Sequence, residues 1–584
     1  MSHQTGEPQK GGVTAVSETN SKPRNDNSAV DGAPTSSSSS SSQVNIAENY
    51  STITTNEEPS AFKPTLQFWI VFLALLLATL LSALDGAIVA TALPTISSDL
   101  DVGPDFVWVA NVYFLTGAVL QPLFGQLSDL WGRRPMFIAI LAVFTLGSGL
   151  CGGASSGRML IAARAVQGIG AGGINMMVDL ILCDLVPMRD RGKYLGILFG
   201  VIGLFSAVGP LIGGALAQSG QWRWAFYLNL PIGGVCILIT LFFMKVQSRV
   251  GGSFTQKLRR VDWAGVTILT ISCIAIMYAV TYGGASRPWS DASIAAPLAG
   301  GLAGLLIFAL FEATPCLVAE PVTPPHLFAN RTSAIAFAVT FLQSMLGLFM
   351  IYVYALYFQA VLGAGQTLSG VYLIPTAISF PLFAAVGGGL MTKFGRYKPL
   401  HLTGFAFLTL GCGLSSLLGP GSSPAEWVFF QLFLGVGAGL TMAVLLPAVQ
   451  APLQESDTAL STGTWAFIRS LGVIWAVTVP AAVFNNRFGQ LLHTIDDPAA
   501  RAMLGNGNAY AHGTAALVDS FGGATTEQVR AVYSQSVQRV WQIGVVFSGA
   551  CFLLALFEKE ISLRRELETD FGLKEEKKEV QAAP

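Results

Sequence analysis

"RAVQGIGAGGINMMVDL", residues 164–180, decides the fold. The stretch is apolar enough to lie in lipid, yet it begins at Arg164, passes Asn175 and contains Asp179. It also spells G-x-G-x-x-G through Gly168, Gly170 and Gly173. That fingerprint binds dinucleotides only where a strand precedes it in a soluble βαβ unit. Here it lies inside a long apolar run, so its glycines are read as small contact surfaces for neighbouring membrane helices.

Composition agrees with a membrane setting. Of 584 residues, 52% are hydrophobic and 11% charged, against about 25% charged in ordinary soluble domains. A net charge of −1 leaves no basic face for phosphates, which excludes a nucleic-acid partner. Seven cysteines (Cys151, Cys183, Cys236, Cys273, Cys316, Cys412, Cys551) are scattered singly, as expected of reduced packing thiols. "GASSG" (153–157) matches a nucleophile elbow in letters alone, without a nearby His and Asp. No Walker sequence, metal-ligand spacing or catalytic constellation is present, so neither an enzyme nor a cofactor or metal is expected. The five histidines fall outside or at the ends of apolar spans, which argues against a buried histidine relay. Residues 1–62 are polar and include the run Ser36–Ser42; they are expected to form a disordered cytoplasmic tail.

Windows long enough to cross about 30 Å of hydrocarbon fall near 66–90, 106–127, 136–154, 159–182, 195–217, 226–246, 263–281, 293–313, 334–357, 368–391, 401–419, 427–450, 463–484 and 540–557. The expected fold is an all-α polytopic membrane protein with fourteen helices. Arg133, Arg134, Arg189, Arg191, Lys193, Lys245, Arg249, Lys257, Arg259, Arg260, Lys393, Arg396 and Lys398 all fall in alternate loops. Positive charge marks the cytoplasmic side, so both ends are expected to face the cytoplasm. The largest outer loop is expected at 485–540, and a short tail at 558–584.

An internal repeat fixes the expected organisation. "GIGAG" (168–172) recurs as "GVGAG" (435–439), and "GQLSDLWGRRP" (125–135) is echoed by "GGLMTKFGRYKP" (388–399). Residues 66–246 and 334–557 are thus read as two six-helix halves, with 263–313 an additional helix pair between them. Paired six-helix repeats are a transporter architecture.

Ionisable groups inside lipid are costly and are functional by default. At 100° per residue Arg164, Gly168, Ala171, Asn175 and Asp179 share one helix face. Asp85 lies in the first window and Arg469 in the thirteenth. At the repeat offset Gln431 stands for Arg164 and Tyr352 for Asp85. Charge therefore concentrates in the N-terminal half, where coupling to an ion is expected.

Five motifs in order carry a resemblance: "LDGAIVATALPTI" (84–96), "GQLSDLWGRRP" (125–135), "LIAARAVQGIGAGG" (160–173), "VGPLIGG" (208–214) and "WRWAFYLNLPIGG" (222–234). Across about residues 66–557 the chain resembles the major facilitator superfamily, specifically its fourteen-helix drug:proton antiporters. The resemblance implies proton coupling at Arg164 and Asp85; Asp179 and Asn175, on the same helix face as Arg164, are expected to share in proton coupling or transport. It implies a conformational latch at Gly125, Asp129, Gly132, Arg133 and Arg134, and an antiporter bend at Gly209, Pro210, Gly213 and Gly214. Two positions depart from the pattern: Phe205 stands where the bend motif often has Gly, and Thr392 where the second latch has Asp.

The function expected is proton-coupled export of hydrophobic or amphipathic toxins by alternating access, by a functional monomer at the plasma membrane. The partners are then a small-molecule substrate, protons and the lipid bilayer. The alternatives are a vacuolar carrier of basic amino acids or siderophores in the same superfamily, and a receptor or scaffold that moves nothing.

Overall fold

A computed structural model describes residues 64–564, apart from 103–105, 246–252, 284–286, 315–317, 319, 506 and 511. The side chain of Pro210, the whole of the expected N-terminal tail and residues 565–584 lie outside the described residues. Among the described residues the chain is built from helices, with no named strand.

The N-terminal part comprises α1 (Leu66–Asp99), α2 (Phe106–Val119), α3 (Gln121–Trp131), α4 (Arg133–Gly152), α5 (Gly157–Leu185), α6 (Met188–Gln218), α7 (Trp224–Tyr227) and α8 (Asn229–Phe243). A middle part holds α9 (Phe254–Arg260), α10 (Trp263–Tyr282) and α11 (Ala292–Glu312). The C-terminal part comprises α12 (Arg331–Leu356), α13 (Gln366–Tyr372), α14 (Ile374–Phe394), α15 (Lys398–Ser415), α16 (Pro424–Gln450), α17 (Thr458–Leu491), α18 (Pro498–Leu504), α19 (Ala515–Ser520) and α20 (Gly523–Leu556). Eleven described helices are long and apolar enough to cross a membrane. The windows 106–127, 195–217 and 401–419 coincide with α2–α3, α6 and α15, which lie outside that set.

Local chemistry sets the helix ends. The Thr65, Ser156 and Asp262 side chains each accept a backbone N–H in the first turn of α1, α5 and α10. Ser423 and Glu426 form a capping box at the start of α16. Gly132 and Gly395 turn the chain at φ 93° and 68°, a region that favours glycine. The window 106–127 is two helices, interrupted at Leu120 with Pro122 in the first turn of α3. The expected outer loop 485–540 is largely helical, because α17 runs on to Leu491 and α20 begins at Gly523.

The two parts repeat one packing scheme. Gly170 of α5 lies against the Phe144 backbone of α4, and Gly437 of α16 lies against Leu408 of α15 in the same way. Gly147 meets Gln167, as Gly411 meets Leu434. In the hydrophobic windows 83% of α5 and 78% of α16 are buried, against 17% of α11, so α5 and α16 sit centrally and α11 at the edge. α6 packs on α14 and α3 on α17, joining the halves. Along the first of these seams Gly192 lies on the Gly388 backbone, Gly196 on Ala384 and Gly203 on Pro381.

This seam makes a paired prediction. A methyl group at Gly388 would run into the Gly192 carbonyl, whereas one at the adjacent Gly389 meets open space. Gly388→Ala should destabilise by about 1–3 kcal/mol, while Gly389→Ala should be neutral or slightly stabilising, as read from melting temperatures. At the far end of α1, Asp99 accepts from the Trp222 indole at 3.0 Å and from Arg223 at 3.2 Å. These two hydrogen bonds, Trp222 first, hold its carboxyl below the usual aspartate range. A lowered pKa stabilises the fold above the ordinary aspartate value and stops doing so as pH falls through the lowered one. Asp99→Asn should therefore flatten a small acid-side loss in melting temperature.

Candidate functional site

Three polar assemblies sit where hydrocarbon-facing charge would be prohibitive. The deepest lies within the N-terminal half. Arg164 of α5 and Asp85 of α1 are 2.6 Å apart, with side chains 1% and 0% exposed. The other Asp85 oxygen accepts from Gln167 at 2.7 Å and from Asn229 at 3.0 Å. Gln167 also accepts from Arg164 at 2.7 Å and donates to Ser148 at 2.8 Å. Arg164 further donates to the Val109 carbonyl and lies over the Tyr113 ring, 3.9 Å from its centroid. Both Asp85 oxygens and three faces of the guanidinium are thereby engaged, the condition under which a buried ion pair persists. At the repeat position Gln431 is buried and bonds the Tyr372 carbonyl and Thr376, both neutral groups. Tyr352 is 44% exposed and joins no such network.

The second assembly lies between the halves. Asp179 of α5 faces Arg469 of α17 at 3.4 Å, and the guanidinium stacks over Trp465 at 4.5 Å. A pocket there is lined by Thr79, Asn175, Val178, Asp179, Leu198, Ile202 and Arg469. Asp179 and Asn175 thus belong to this inter-half pocket, and the carboxylate that meets Arg164 is Asp85.

The third closes one end of the bundle. Arg133 bridges Asp184 and Asp129, both at 2.6 Å, and reaches Ser128 at 3.1 Å. Gly125 lies on the Ala459 carbonyl of α17, Gly132 provides the turn, and Arg134 bonds the Leu241 carbonyl. Arg191 joins the halves through Gln450 at 2.8 Å and Glu455 at 2.6 Å. Arg189 donates to the Thr392 and Lys393 carbonyls, both at 3.0 Å. Backbone carbonyls are thus the acceptors beside Thr392, where the second copy of the motif lacks aspartate. After α20, residues 558–564 form a strap across this end. Lys559 N–H donates to Thr332, Arg564 donates to the Leu453 carbonyl at 2.7 Å, and the Arg564 carbonyl accepts the Arg189 N–H at 3.1 Å. Tyr397 donates to the Lys559 carbonyl.

The expected bend motif, which lies in α6, is less concentrated. Gly209 lies against Ala87 of α1, Gly213 is buried and Gly214 borders open space. α6 is helical throughout Met188–Gln218. Sequence reasoning missed Asp184, Gln167 and Asn229. Gln167 stands three residues from Arg164, hence on its face, and Asn229 falls within the quoted fifth motif. The histidines were also under-read, since His401 is fully buried beside Glu558 at 2.8 Å. Among the described residues no group of three or more His, Cys, Asp or Glu could hold a metal.

A family model described as Major Facilitator Superfamily matches residues 75–477. The chain is 49% identical over 560 residues to the MFS-type efflux transporter phmH of Phaeosphaeria nodorum, covering 94% of this chain and 95% of that one. It is 47% identical over 521 residues to the MFS-type efflux transporter ffsH of Aspergillus flavipes, covering 89% of each. Among solved structures it is similar in fold to the proton:xylose symporter XylE, with a TM-score of 0.51, 14% identity and coverage of 85% and 98%. A human organic anion transporter, MFSD10, gives a TM-score of 0.50 at 14% identity, covering 82% and 99%. With its helical halves, its cross-half contacts and these relatives, the chain belongs to the Major Facilitator Superfamily, a family of transporters.

Proposed function

We propose that this protein is a proton-coupled antiporter that exports hydrophobic or amphipathic toxins, drugs or secondary metabolites across the plasma membrane as a functional monomer. The efflux names of its relatives support the direction of transport. The observation that carries the coupling is the sealed Asp85–Arg164–Gln167–Asn229 network in one half, opposite a neutral Gln431 in the other. A proton arriving at Asp85 cancels the charge that Arg164 pairs with, so the guanidinium must find new partners. Re-pairing of that kind gives the N-terminal half two arrangements, which is what alternating access requires. The Asp179–Arg469 pocket with Asn175 is the substrate region on this reading, since it borders both halves. Fourteen spans with both termini cytoplasmic put the Arg133, Arg189 and Arg191 contacts at the inner face, so the arrangement described is closed toward the cytoplasm. The latch residues then hold that closure, and Gly209 lets α6 pack closely on α1.

Reconstitution in liposomes with an imposed pH gradient and a proton reporter tests the reading. The compound panel would hold hydrophobic toxins, lysine, arginine and ferric siderophores. Wild-type protein should show proton flux with the toxins. Arg164→Ala leaves Asp85 buried and unpaired, at a cost of about 3–5 kcal/mol, and should lose that flux. The neutral pair Asp85→Asn with Arg164→Gln should restore folding and leave coupling abolished. Flux with lysine, arginine or siderophores alone, in protein located at the vacuole, would replace the export reading. Binding without flux for every compound would replace transport altogether.

A further inference from the structure

The additional helix pair α10–α11 carries a polar feature that neither half uses. Asp262 caps α10 and Glu312 ends α11, and they are only 8% and 4% exposed. Each carboxyl has one oxygen satisfied. Asp262 Oδ1 accepts the Gly265 N–H at 2.9 Å, and Glu312 Oε2 accepts the Thr323 N–H at 2.8 Å. The other two oxygens, Asp262 Oδ2 and Glu312 Oε1, are buried without a partner. They face one another beside Gly265, where a Cβ would meet both. Buried Thr323 Oγ1 is likewise unpartnered.

Two carboxylates cannot share a buried site while both are charged and nothing positive intervenes. No basic side chain among the described residues fills that role. The neighbouring cation, Arg260, is engaged with Glu320 at 2.6 Å. Val261, Val266 and Val322, close in sequence to Asp262, Gly265 and Thr323, pack in one apolar cluster with Leu123 of α3. α3 contributes one polar group, the neutral Gln126, which accepts the Asp262 N–H at 3.3 Å and donates to the Glu320 carbonyl at 2.9 Å. Gln126 stands three residues before Asp129 of the end-closing network.

We propose that Asp262 and Glu312 bind one small cation between them, a proton or a metal ion, and that its occupancy clamps α10–α11 onto α3. The cation supplies the positive charge that the two facing oxygens lack. A proton would sit on one oxygen and be donated to the other. A metal ion would take both oxygens, which are hard donors. The site is independent of whether Asp85 couples transport.

The test uses the full chain in lipid nanodiscs. Melting temperature is followed from mildly acidic to mildly alkaline pH in chelator, then with Na⁺, Mg²⁺ or Ca²⁺ added. Wild-type protein should gain several degrees on acidification if the cation is a proton, or on metal addition at alkaline pH if it is a metal. The double variant Asp262→Asn, Glu312→Gln, whose amides can donate to each other, should lose that dependence. Glu312→Gln alone supplies a donor to Asp262 and should behave the same way, which keeps the test decisive if the double variant misfolds. Equal pH and metal responses in wild type and variants would overturn the site.

Discussion

A charge enclosed in a membrane protein must be neutralised where it lies, and this constraint organises the molecule. An ion moved into a medium of low dielectric carries a penalty of several kcal/mol even after relaxation. Asp85 and Arg164 meet it with an ion pair and a full set of hydrogen bonds supplied by α1, α5 and α8. Those bonds fix how the three helices approach, so the chemistry of one carboxylate dictates packing across the N-terminal half. The glycines of α5 let α2 and α4 come close enough for the network to close. The neutralised charge and the close packing of these helices are therefore two aspects of one requirement.

The halves share a backbone plan and differ in what they enclose. Equivalent glycines make equivalent contacts in α5 and α16, yet the second half places Gln431 where the first places Arg164. A neutral amide satisfies its neighbours whatever the protonation state nearby. On the proposed mechanism, re-pairing of charges is then confined to the N-terminal half. Asp179 and Arg469 form the one charged contact that crosses the pocket, and stacking on Trp465 holds the guanidinium in place.

Much of this was legible in the sequence because burial in lipid leaves a long apolar signature. Every apolar window coincides with helix, and the glycine echoes correspond to real contacts. Boundaries were less legible. α20 begins seventeen residues before its apolar window at 540, because its first half is held by protein rather than lipid and carries polar residues. The pairing of charges was readable only in part. Helix periodicity puts Arg164 and Asp179 on one face, but four turns of helix separate them. Which acid meets which arginine depends on α1 and α17, elements distant in sequence. Asp184 escaped notice because its partner, Arg133, lies a whole helical hairpin, α4 and α5 with their loop, away in sequence.

The strap after α20 has a consequence for how the protein is made. Residues 558–564 tie Thr332, Leu453 and Arg189, groups that belong to both halves, and they follow every one of those helices in the chain. A ribosome delivers them after all of those helices. The glycine seams and arginine contacts between the halves are thus encoded ahead of the fastening across their ends. Assembly and closure are separated in time by the order of synthesis, so a nascent chain passes through a stage in which the helices are in place and that end is still untied.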